Sequence, residues 1–164
     1  MGLKVLGCAT KSSKISKNTQ HSTLNDYHQV LGQKIYDYQI FIFIRNPFDR
    51  LVSFYFSRHR GNPDFDRGAF SKLIDRVPPL ENFIIIQTAS GYEFMIYNKM
   101  KLMRFESLSE GFSELCASLG VTDMKLPHRN ASARNGYREY YDEELIQKIE
   151  TIHGYEISLG NYEF

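Results

Sequence analysis

Long hydrophobic runs are missing from this chain: its longest apolar stretches, residues 40 to 44 and 83 to 86, are only strand length. No membrane span is expected, since a spanning helix needs about 20 apolar residues in succession. Met1 to Cys8 carries no long apolar segment after its single lysine, so no secretory leader is expected and the expected location is cytoplasmic. Cysteine is scarce as well. Cys8 and Cys116 stand far apart and follow no ligand spacing, which predicts free thiols in a reducing compartment, with a disulfide as the lesser alternative. His59, His128 and His153 also lack metal-site spacing, so no metal is expected. A net charge of only +1 argues against a nucleic-acid coat. Repeats and linkers are absent too, leaving a single domain over residues 1–164 with an atypical N-terminal segment at 1–20.

What is present describes a globular protein. The 164 residues are 42% hydrophobic and 14% aromatic, enough for a core and too apolar for wholesale disorder. The near-neutral total hides two basic segments. Arg45, Arg50, Arg58 and Arg60 face only Asp49 across residues 45 to 60, and Lys125, Arg129, Arg134 and Arg138 meet no acid across residues 125 to 138. Such local charge suits a small anionic ligand, whereas Arg58, Arg60 and Arg138 are equally readable as a solvated face.

Along the chain, Leu3 to Cys8 reads as a short strand. Leu24 to Leu31 reads as a helix capped by Ser22 or Thr23 and ended by Gly32. Helices are also expected at Phe70–Arg76, Ser109–Leu119 and Asp142–Ile152, the last with acids in its first turn. Leu80 to Ser90 begins as a helix, although Phe83 to Ile86 alone is equally a strand, and Gly91 closes that element. Lys101 to Phe105 reads as a second buried strand ending at Glu106, which caps the next turn or does chemistry. Leu126 to Gly136 is a polar, basic loop. One α/β domain follows from this alternation.

The phrase from Phe41 to Tyr55 carries the most chemistry. Phe41 to Ile44 is continuously apolar, as in a strand buried on both faces of a parallel sheet, so Arg45 is the first charge at its carboxyl end, where open α/β sheets place ligands. Asn46 suits an N-cap and Pro47 the first helical position. Phe48, Leu51, Val52 and Tyr55 then form one apolar stripe, with Asp49 and Ser53 on another. An arginine, a helix amino end and a serine hydroxyl together suit a phosphate. The plainer alternative is an ordinary strand-to-helix connection in which Arg45 pairs with Asp49.

This phrase resembles the 3′-phosphate-binding strand and helix of sulfotransferases, most closely the carbohydrate and heparan-type branch. Arg104-Phe105-Glu106-Ser107-Leu108, the loop Leu126-Pro127-His128-Arg129-Asn130-Ala131-Ser132 and the ending Tyr140 to Phe164 resemble further segments of that family in the same order, so the likeness covers residues 21 to 164. The resemblance implies a P-loop-NTPase-like, sulfotransferase-type three-layer α/β fold with a small parallel sheet flanked by helices. It also implies 3′-phosphoadenosine 5′-phosphosulfate (PAPS) as cofactor without a metal, and sulfuryl transfer to a hydroxyl, with a glycan as the acceptor. Arg45 and Ser53 would hold the 3′-phosphate, Arg129 and Arg134 would close a basic lid, and His21 would be the general base; a neutral imidazole suits removal of a hydroxyl proton.

The N-terminal segment departs from that pattern. Relatives hold the 5′-phosphosulfate with a glycine-containing loop that also bears a lysine. The matching stretch here, Gly7 to Lys14, offers Lys11 and Lys14 but lacks the inner glycine, and only nine residues separate Lys11 from His21. Two outcomes stay open. The loop is rebuilt from these residues, or the fold is incomplete there and the protein is a non-catalytic module that binds a nucleotide bisphosphate or another anion. The tyrosines at 92, 97, 137, 140 and 141 are readable as stacking platforms, but more readily as packing.

Overall fold

The structure, a computed structural model, describes residues 5–6, 22–59, 64–94, 100–121 and 134–164. The backbone clusters into two compact units, Met1–Phe43 with Leu80–Met103, and Ile44–Pro79 with Arg104–Phe164. Strands and helices alternate along the chain, and the class is α/β with a small parallel sheet, as the sequence implies.

The first unit holds that sheet. Strand β1 (Val5–Leu6) pairs in parallel with β2 (Gln39–Ile44), Val5 opposite Gln39 and Leu6 opposite Ile40, and β5 (Met100–Arg104) takes the other side of β2. Helix α1 (Leu24–Leu31) begins at Thr23 in a capping box: Thr23 Oγ1 accepts from the Asp26 amide at 3.2 Å, and Asp26 accepts from the Thr23 amide at 2.7 Å. It ends at Gly32, as expected.

Two expectations change here. Residues 80–90 are helical only through one turn, α4 (Glu81–Ile84), before becoming β3 (Ile85–Thr88), which turns back into β4 (Gly91–Phe94) with Ile85 opposite Phe94. The β-branched run Ile84-Ile85-Ile86 outweighs the helical start. Gly91 opens the return strand rather than closing a helix, because its φ of 124° is one that a side chain would strain. The strands are also less buried than their apolar runs suggest: in β2 only Ile40 and Ile44 are buried, with Phe43 42% exposed, and in β5 only Met103 is buried.

The second unit is a helical core. Helix α2 (Pro47–Arg58) buries Phe48, Leu51, Val52 and Tyr55, the stripe its spacing predicts. These pack with Phe70 and Ile74 of α3 (Arg67–Arg76) and Leu145 and Ile149 of α6 (Glu143–Gly160). Each such side chain contributes about 1.5–3 kcal/mol on removal from water. In α5 (Leu108–Ser118) and its end, only Cys116 of the expected stripe is buried and Leu119 is exposed. Cys116 is a free thiol, while Cys8 lies outside the described residues.

Helix α6 runs well past the expected end at Ile152. It kinks at His153, whose φ and ψ are −113° and 17°, next to Gly154, then continues to Gly160. Arg50 holds the second half, donating to Glu156 Oε2 at 2.7 Å and lying 3.4 Å from Nδ1 of the fully buried His153. The turn after α6 is tight: a Cβ on Gly160 would collide with the edge of the Tyr162 ring. Gly160→Ala is therefore expected to cost about 1–3 kcal/mol by overpacking, read as a lower urea midpoint at unchanged m.

Candidate functional site

The site lies in the second unit, at the corner where Arg45 leads into α2. Asn46 accepts from the Phe48 amide at 3.0 Å and Pro47 opens the helix, so the local grammar read from sequence is realised atom by atom. Glu106 fixes the corner from another segment: its Oε1 accepts from the Asn46 amide at 2.8 Å, and its Oε2 accepts from the Tyr162 hydroxyl at 3.0 Å. Glu106 therefore caps, but at Asn46 rather than at its own following turn. The Tyr141 hydroxyl donates to the Phe48 carbonyl at 2.8 Å and anchors the first turn of α2 from the side.

On this frame the Arg45 side chain reaches Asp49 and Ser53 of α2. Arg45 Nε donates to Asp49 Oδ2 at 2.8 Å, with Nη2 at 2.5 Å from the same oxygen, and Nη1 lies 3.5 Å from Ser53 Oγ. Arg134 reaches the other oxygen, donating from Nη2 to Asp49 Oδ1. The Phe105 ring, 45% exposed, lies against the Arg45 guanidinium at 4.5 Å. Two guanidiniums against one carboxylate leave a net charge of +1, with a hydroxyl one helical turn away. This donor set fits a phosphate or sulfate group.

Burial raises the pKa of Asp49, but the hydrogen bonds from Arg134 and Arg45 outweigh it and hold the carboxyl below the usual range. Because the folded value is depressed, the stabilisation is fully present above the unfolded value of about 3.9 and disappears as pH falls through the folded one. The stability difference between wild type and Asp49→Asn is thus expected to be constant from pH 7 to about 5 and to shrink below about pH 4 in urea titrations.

Of the residues expected from sequence, Arg45, Ser53 and Arg134 come together. Lys11, Lys14, His21 and Arg129 lie outside the described residues. The plainer alternative, Arg45 paired with Asp49, is also realised, in the same constellation. Sequence reasoning did not find that Asp49 joins two arginines, nor that Phe105 backs Arg45. The first had half a signal, the Arg45-to-Asp49 spacing of four; Arg134 is 85 residues from Asp49 and nothing local announces it. Tyr137, Tyr140 and Tyr141 pack against the helical core, and Arg58 lies over the Phe54 ring at 4.5 Å.

A model of the sulfotransferase family matches residues 5–163. The chain belongs to the sulfotransferase family. No curated protein and no solved structure matches it. The match in this sulfotransferase-family protein begins at β1, so it includes the N-terminal segment that departs from the usual loop pattern. Among the described residues no group of His, Cys, Asp and Glu could hold a metal ion, and no helix is long and apolar enough to cross a membrane.

A concavity of the same unit lies between α2 and α3. It is a groove of about 490 Å³ lined by Phe54, Arg58, His59, Lys72, Leu73 and Arg76 among others, with no carboxylate in its lining.

Proposed function

We propose that this protein transfers a sulfuryl group from PAPS to a hydroxyl, most suitably that of a carbohydrate. The observation that carries this reading is the gathering of Arg45, Ser53 and Arg134 at the start of α2 in a chain of the sulfotransferase family. Arg45 and Ser53 hold the 3′-phosphate of the cofactor and Arg134 closes on it, their charge and hydroxyl matching a phosphate's oxygens. Phe105 offers an exposed aromatic face beside them. When bound, PAPS supplies an activated sulfuryl group.

The chain's own residues supply the rest of the chemistry. His21, as a neutral imidazole, accepts the proton of the acceptor hydroxyl, and Lys11 or Lys14 contacts the phosphosulfate.

Calorimetric titration with adenosine 3′,5′-bisphosphate, followed by transfer of radiolabelled sulfate from PAPS to neutral and acidic glycans, tests the proposal. Binding is expected with wild type, and transfer is expected to be lost in His21→Ala with binding retained. No binding would overturn the reading. Binding without transfer to any glycan would replace it with a non-catalytic bisphosphate-binding module.

A further inference from the structure

The geometry points to Asp49 as the positioning residue of the anion site, an inference that rests on the reading above for the identity of the ligand. A carboxylate is an unexpected neighbour for a phosphate. By charge alone it repels the ligand and weakens the field of the two arginines, so its removal should tighten binding. The contacts argue the opposite. Asp49 spends one oxygen on each arginine: Oδ2 takes Nε and Nη2 of Arg45 and Oδ1 takes Nη2 of Arg134. Arg45 comes from the end of a strand, whereas Arg134 follows a basic segment 85 residues further along than Asp49. Both long side chains would otherwise sample many rotamers, and each would lose that freedom on binding.

The site's burial fits this role. Asp49 and Arg45 side chains are each 24% exposed and Arg134 only 11%, so the carboxylate is drawn out of bulk water and worth most to guanidiniums that point at it. Asp49 is itself held in place, since the first turn of α2 is anchored by the Asn46 cap and by the Tyr141 hydroxyl on the Phe48 carbonyl. Beyond the donors given to Asp49, Arg45 extends Nη1 toward Ser53 Oγ, and Arg134 donates from Nη1 to the Asn135 carbonyl at 3.3 Å. Asp49 thus presets two guanidiniums from distant segments as one receptor, with the organisation outweighing the repulsion.

The two views predict opposite signs for one substitution. In calorimetric titrations of the full chain, Asp49→Asn is expected to bind adenosine 3′,5′-bisphosphate about tenfold more weakly than wild type although the site gains a positive charge. Asp49→Glu, which keeps the charge, is expected to recover part of the loss. A second reading needs no nucleotide: phenylglyoxal modification followed by mass spectrometry should find Arg45 and Arg134 slow to react in wild type and faster in Asp49→Asn. A change confined to stability would leave those reactivities alone in the folded variant. Unchanged or tighter binding in Asp49→Asn, or unaltered arginine reactivity, overturns the inference. If wild type binds inorganic phosphate but not the bisphosphate, the nucleotide reading falls and the same comparison is decided with phosphate. Binding of neither overturns both.

Discussion

Arg45→Ala is expected to weaken binding of adenosine 3′,5′-bisphosphate by on the order of a hundredfold while the protein stays folded. The magnitude follows from the loss of a fork of charge-assisted hydrogen bonds in a partly buried site, about 3 kcal/mol, at about 1.4 kcal/mol per factor of ten. The fold tolerates the change because the Arg45 side chain is not part of the helical core and Asp49 retains Arg134 as a partner. The cost to stability should stay near 1 kcal/mol, since breaking one partly exposed ion pair leaves no orphaned charge. Arg45→Lys is expected to recover only a fraction of the affinity: a single ammonium cannot serve Asp49, Ser53 and a ligand with the planar fork that Arg45 offers. Titration of the three proteins under one salt condition decides it. Equal heats for wild type and Arg45→Ala would remove this corner from the binding site.

Phe48→Ala carries the largest expected effect on stability. The side chain is 1% exposed and lies at the first turn of α2, with its ring 5.6 Å from that of Tyr141 and 5.0 Å from that of Phe164, both edge-on. Truncating a buried phenylalanine costs about 3–5 kcal/mol, the sum of lost transfer energy and the cavity left behind. Against a total of roughly 5–15 kcal/mol that is a large share, and a fall in Tm of about 10 °C is expected. A loss below about 1 kcal/mol in urea unfolding would show that the ring is not held as this packing requires. The same substitution should also weaken bisphosphate binding, because Phe48 precedes Asp49 and its carbonyl is the acceptor that ties the turn to Tyr141. Phe48→Leu, which keeps most of the volume, should restore much of both.

Much of the local structure was legible without coordinates. At three helix starts the residues themselves carry the boundary: Thr23 with Asp26, Asn46 with Pro47 and Asp142 before α6 all accept from amides in the first turn. Asp66 does the same before α3, which starts at Arg67 rather than at the expected Phe70, whereas Ser107 before α5 makes no such bond. The α2 stripe was legible for a similar reason, since helical periodicity puts Phe48, Leu51, Val52 and Tyr55 on one side whatever they pack against. Residues 84–88 were harder. Their short apolar run carries no period that separates strand from helix, and the antiparallel partner at 91–94 decides the outcome. The continuation of α6 beyond Ile152 has no local signal, since its partners there, Arg50 on Glu156 and the core against Ile157, come from distant segments.

The strand, the arginine and the capped helix after it were determined by the sequence alone, because strand hydrophobicity, N-capping and helical spacing act over a few residues. That grammar placed Asp49 and Ser53 on one stripe of the helix and Arg45 at the end of the strand before it, within reach of Asp49. It could not say whether Asp49 neutralises Arg45 or organises it, since that depends on a second guanidinium. Only the tertiary structure supplied the place of Arg134 on Asp49, the Glu106 carboxylate on the Asn46 amide and the Phe105 ring against Arg45. Electrostatic and hydrogen-bonding partners act through space at a few ångströms, while the chain that carries them is free to be of any length.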